Sequence, residues 1–171
     1  MDNDSSVSND PQVSKKLVSD YLRAFVSADY ERLTELVSED FVISWRYNVS
    51  GKVGREAARR IEGRDAYLAY ARDGLTTVRY SYDDPVIRPV ADGSSVYVET
   101  MATLLLPFDP QEAPEIEYHN EFVYRFDIRD GQLTQQIGWH NPVAAMVFHT
   151  DRDLPTKDEI RALGEPGQWQ G

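Results

Sequence analysis

The sequence predicts an α+β fold, with helices laid over one face of a strongly bent antiparallel sheet. Two observations carry this. Helix-period apolar spacing is confined to the first part of the chain, and an almost unbroken β-rich run extends from Thr77 to Met146. Helices first and a bent sheet afterwards leave a cone-shaped space between the layers, a common setting for a small-molecule site.

Taking the elements in order, residues 1–10 are polar and read as a disordered tail. Val13, Leu17, Tyr21, Leu22 and Phe25 recur at helical spacing through VSKKLVSDYLRAFVSAD and define a first helix. A short second helix follows in DYERLTELV, with Asp29 as N-cap, and Ser38-Glu39-Asp40 is expected to break it before the strand FVISWRYNV. A polar, arginine-rich loop then leads to Gly63. In GRDAYLAYARDGL the residues Ala66, Tyr67, Tyr70 and Ala71 share one face of a third helix, and Gly74 offers its C-terminal stop. The segments TVRYSYDDPVIRPV, SSVYVETMATLLLPF, IEYHNEFVYRFDI and QLTQQIGWH are rich in β-branched and aromatic residues. Turn signals at Ala91-Asp92-Gly93, Asp109-Pro110 and Asp130-Gly131 separate them into an antiparallel meander. Residues 11–150 form the domain, and the charged, proline- and glycine-punctuated residues 151–171 form a C-terminal extension with a short helix.

Composition bounds the function. The 171 residues suffice for one domain with its own core. Cysteine is absent, which excludes disulfides, thiolate nucleophiles and cysteine-ligated metals. A net charge of −11 repels phosphate backbones and anionic membranes, so nucleic acid and membrane are not expected partners. No apolar run spans a bilayer and no secretory pattern opens the chain, which leads to the expectation of a cytoplasmic protein. Glycine-rich phosphate loops, dinucleotide fingerprints and nucleophile elbows are missing, so no cofactor is expected. His119 and Glu121, with His149 remote, lack the spacing of a metal motif, and no metal site is assigned.

The strings YLRAFVSADYERLTELVSEDFVI and FVYRFDIRDGQLTQQIGWHNP resemble the nuclear transport factor 2-like superfamily over residues 13–148. Within it they resemble the ketosteroid-isomerase and SnoaL-like polyketide cyclase group. The stretch YHNEFVYRFDIRDGQLTQQIGWHNP is also similar to the phenazine-biosynthesis A/B type proteins. The resemblance implies a cone-shaped fold of three helices on a bent sheet, and a homodimer through the outer sheet face. It places Tyr21 on the isomerase tyrosine that donates to a developing enolate. The isomerase's aspartate base, however, falls on or next to Trp45, and its protonated carboxyl group near Tyr124. The phenazine proteins' strand glutamate corresponds to Gly138 and their helix histidine to Tyr70. What is implied is a pocket whose usual polar groups have been replaced.

The family pattern turns Gln136, Gly138 and His140 toward the cavity, since alternate strand residues share a face. His140 is then the candidate general acid/base, because an imidazole titrates near neutral pH. The hairpin alignment puts Tyr97, Glu99 and Met101 on the cavity side too, where a desolvated Glu99 could partner His140. In the other register Glu99 is a solvated or interface charge. The expected catalytic set is therefore His140, Glu99 and Tyr21, with Trp45, Tyr47, Tyr70, Met101, Asn120, Tyr124 and Gln136 binding the substrate. The expected activity is cofactor-independent cyclisation or isomerisation of a hydrophobic polyketide, phenolic or terpenoid-like molecule. A dehydratase or epoxide-opening cyclase, or a non-catalytic binding or dimeric module, are the alternatives.

Overall fold

A computed structural model describes residues 10–46, 59–106 and 116–140. Helix α1 (Pro11–Val26) opens where Asp10, not yet helical, accepts the backbone N–H of Gln12 at 2.8 Å, with Pro11 in the first turn. Asp10, the last residue of the expected tail, is thus part of the helix start. Ser14, Val18, Tyr21, Leu22 and Ala24 form its buried stripe. The hydroxyl of Ser14 bonds to the carbonyl of Gly93 at 2.7 Å and pins the helix to a sheet turn. Helix α2 (Tyr30–Leu36) is capped by Asp29, which accepts from the N–H of Arg32 at 3.0 Å.

Strand β1 (Val37–Trp45) follows without a gap. Ser38, Glu39 and Asp40 lie inside it rather than before it. The polar triplet coincides with a shift in register against β6 between Val37 and Val42, so the signal marks an irregular pairing, not a loop. The arginine-rich segment also yields a four-residue edge strand, β2 (Arg59–Glu62), which was expected to be loop. Helix α3 (Arg64–Thr77) buries Tyr67, Leu68 and Ala71, but Ala66 is exposed. It runs through Gly74, whose φ is not positive, and ends only when Val78 N–H reaches the Gly74 carbonyl at 2.9 Å. Glycine stops a helix when it adopts the left-handed conformation, and Gly74 does not.

Strands β3 (Arg79–Pro89), β4 (Ser95–Leu106), β5 (Ile116–Arg129) and β6 (Gln132–His140) form the expected meander. Asp130 and Gly131, with φ of 52° and 75°, make the two-residue β5–β6 turn that needs positive φ at both positions. The sheet order is β2-β1-β6-β5-β4-β3, and the sheet is curled but not closed. It is mixed rather than wholly antiparallel, because β1 runs parallel to β6. That one parallel pair brings the N-terminal strand beside the C-terminal one and sets Ile43 against Gln136 and Trp45 against Gly138. The core lies between the concave sheet face and α1 and α3, built on Val18, Phe41, Tyr67, Val96, Val98, Tyr124, Phe126 and Leu133. No helix of the described residues is long and apolar enough to cross a membrane.

Candidate functional site

Alternation along β4 and β5 decides which side chains face inward. On β4, Val96, Val98, Thr100 and Ala102 are buried while Tyr97, Glu99 and Met101 are exposed. Glu99 is therefore not a cavity group, and Met101 does not bind substrate from within. Glu99 instead pairs with Arg88 across β3–β4 on the outer face. The tight Asp130-Gly131 turn and the long unbroken β4–β5 pairing fix the register, and with it the outward direction. On β5, Asn120, Phe122, Tyr124 and Phe126 point inward, and His119 and Glu121 outward. Among the described residues no cluster of three or more potential metal ligands occurs.

A cavity of about 30 Å³ lies under α1 and α3, lined by Tyr21, Phe25, Ile43, Trp45, Tyr70, Tyr80, Tyr82, Tyr124 and Gln136. Tyr21, Trp45, Tyr70, Tyr124 and Gln136 were expected there, and the fold brings them together from five elements. Tyr47 lies outside the described residues. Asn120 is 2% exposed on the inner face, but it bonds to the Tyr118 hydroxyl and is not part of the cavity wall.

The floor is a buried hydrogen-bond relay. The Tyr21 hydroxyl donates to Gln136 Oε1 at 2.6 Å and lies 2.6 Å from the Tyr67 hydroxyl. With its own proton committed to Gln136, Tyr21 accepts from Tyr67. The Gln136 amide nitrogen takes part in neither bond. A second pair of phenols, Tyr82 and Tyr124, also lines the cavity, with ring centroids 6.2 Å apart and edge-on. Tyr67 and Tyr82 were not singled out in the sequence, although the Tyr67/Tyr70 spacing on one helix face and the Tyr80/Tyr82 alternation were both legible.

Burial pushes the phenols of Tyr21, Tyr67, Tyr80, Tyr82 and Tyr124 well above the usual tyrosine range. For Tyr21 the neighbouring Tyr67 adds to the rise. All five are neutral near pH 7 and act as hydrogen-bonding groups, not as bases. Among the described residues, none of the cavity lining is an aspartate, glutamate, lysine, arginine or histidine.

His140 pairs with Phe122 and shares the inner face of β6 with Gln136 and Gly138. It is half-buried and does not line the cavity. The reason is Trp45. A Cβ on Gly138 would lie 2.3 Å from Trp45 Cζ3 and 2.5 Å from Cε3, so the indole rests directly on the strand at Gly138. Gln136 precedes that point and His140 follows it, and the ring stands between them, 6.1 Å from the imidazole and 5.9 Å from Tyr124 between centroids. The His140–Glu99–Tyr21 constellation is thus not assembled: Glu99 is outside, and Trp45 separates the other two.

A cone of three helices on a curled sheet, with polar groups buried at its floor, defines the class: nuclear transport factor 2-like. The sequence model of the SnoaL-like domain matches residues 18–136, well over half of the chain, so the protein belongs to the SnoaL-like domain family. No curated protein matches the sequence. Among solved structures it is similar to a phenazine biosynthesis-related protein from Pseudomonas aeruginosa, with 18% identity, TM-score 0.65, and 85% of each chain covered. It is also similar to an LEH-like epoxide hydrolase of M. tuberculosis, with 18% identity, TM-score 0.58, covering 76% of this chain and 84% of that one. A third is SalBIII, an epoxide hydrolase/cyclase-like enzyme of pyran ring formation in salinomycin, with 22% identity, TM-score 0.60, covering 77% and 93%. At these identities the similarity establishes the fold.

Proposed function

We propose that the protein is a cofactor-independent enzyme that isomerises or cyclises a hydrophobic small molecule, gripping one of its oxygens in the tyrosine-lined cavity. The observation that carries this reading is the Tyr67–Tyr21–Gln136 relay. A buried polar chain is costly unless satisfied, and here it ends on an amide whose N–H group is uncommitted to the relay. Tyr21 acts as a positioning residue that fixes the carboxamide, and the Gln136 amide donates to the substrate's carbonyl or phenolic oxygen. Preorganised donors of this kind typically contribute a few kcal/mol when charge develops on that oxygen, roughly 3–4 for a single donor.

His140 is proposed as the proton carrier, placed on the same face of β6 as Gln136 and against the other side of the Trp45 ring. The epoxide-opening and ring-forming names of the similar structures are consistent with acid/base chemistry on an oxygen-bearing substrate. Dehydration would use the same groups. The size of the cavity favours a second reading, since small-molecule sites typically span about 300–1,000 Å³ and this one is about 30 Å³. A non-catalytic module would keep it closed. On the outer face, the exposed Val86, Tyr97, Met101 and Val123 are proposed to pack on a second copy of the chain, which a monomeric mass in sedimentation would refute.

The test is turnover of a panel of aryl ketones, phenols and epoxides by the wild type, His140→Phe and Gln136→Leu. The enzyme reading expects a product from at least one class. It also expects losses of about 10²-fold or more in both variants, with circular dichroism unchanged. Binding without turnover across the panel would leave the non-catalytic reading standing.

A further inference from the structure

We infer that the indole N–H of Trp45 is a ligand-recognition donor whose acceptor is an uncharged oxygen, carbonyl or ether, of the molecule that enters the tyrosine cavity. The inference rests on the cavity reading above and names the chemistry of its ligand. Trp45 Nε1 is buried and has no hydrogen-bond partner among the described residues. An indole nitrogen is a donor only, and a buried donor without an acceptor costs free energy that native folds seldom leave unrecovered. The neighbouring relay differs: Tyr21, Tyr67 and Gln136 Oε1 satisfy one another.

The ring is held firmly enough to make this position specific. Gly138 allows the indole to lie on β6, and Phe122 and Tyr124 meet it edge-on at centroid distances of 6.2 and 5.9 Å. The same side chain lines the cavity, where about 30 Å³ accommodates a small polar head group while the rest of a ligand would press on the aromatic walls. The oxygen is uncharged because, among the described residues, none that lines the cavity supplies a positive charge to offset an anion.

Two probes of matched shape test the inference: acetophenone, and α-methylstyrene, in which a methylene replaces the carbonyl oxygen. Both are titrated into the nitrogen-15-labelled full chain. Acetophenone should move the Trp45 indole N–H resonance downfield and bind roughly three- to tenfold more tightly than α-methylstyrene, and Trp45→Phe should erase that preference. The resonance is assigned by its loss in Trp45→Phe, or by triple-resonance spectra of the wild type if that variant does not fold. Equal binding of the two probes with an unmoved Trp45 resonance overturns the inference and leaves the cavity reading intact. That is also the result expected if an ordered water is the indole's acceptor. Failure of both probes to perturb any cavity residue overturns the cavity reading, and the inference with it.

Discussion

Gly138 and Trp45 are partners in the parallel pairing of β1 and β6, and the ring of one occupies the volume a side chain on the other would need. Gly138 has no positive φ, so alanine there meets no backbone penalty, only the indole. Gly138→Ala should destabilise the domain by about 1–3 kcal/mol through overpacking. Trp45→Leu in the same chain should recover much of that loss, the two changes being strongly non-additive. Urea denaturation of the two single variants and the double variant checks it, and additive effects would show that the indole is not the obstacle. Glu99 gives the opposite lesson. An acidic residue in an apolar strand suggested chemistry, but β4 turns it to solvent beside Arg88, where an exposed pair contributes little.

At the level of elements, helix starts and hairpins were the most legible features, because their signals are local. Asp29 was predicted as the cap of α2 and does accept the N–H of Arg32. A seven-residue helix has few internal bonds of its own, so Asp29→Ala should cost about 1 kcal/mol. Asp29→Ser should cost less, as read by thermal unfolding; equal losses would mean the cap is not the origin. The Asp130-Gly131 turn was equally local. The misread elements were those decided by distant partners. β2 is a strand because β1 offers Val42 to Trp45 as an edge, and Ser38-Glu39-Asp40 is strand because β6 tolerates the register shift.

Across the whole molecule, the concentration of phenols in one core makes stability depend on pH at the alkaline end. The folded state holds Tyr21, Tyr67, Tyr80, Tyr82 and Tyr124 protonated above the pKa near 10 that they have when unfolded. Above that pH the unfolded chain binds fewer protons than the folded one. Stability is therefore fully present below pH 10 and falls as pH rises through the higher folded-state values. Phenolate absorbance should appear first from the exposed tyrosines, with the buried five ionising only as the circular dichroism of the fold is lost. Complete ionisation of all ten tyrosines near pH 10 with the fold intact would contradict their burial.

The sequence by itself determined the α+β class, three helices, the four-strand meander, the inward face of Gln136, Gly138 and His140, and most of the aromatic wall. All of these follow from periodicity, turn chemistry and family pattern, which a chain carries locally. Tertiary structure alone decided that β1 runs beside β6, that β4 turns Glu99 outward, and that Tyr67 completes a relay with Tyr21 and Gln136. It also decided that Trp45 lies over Gly138, between the relay and His140. The physical reason is that strand register and ring packing depend on contacts between residues 46 to 115 positions apart, such as Tyr21 with Tyr67 and Tyr21 with Gln136. No local propensity encodes which of two faces, or which neighbouring ring, such a contact will choose.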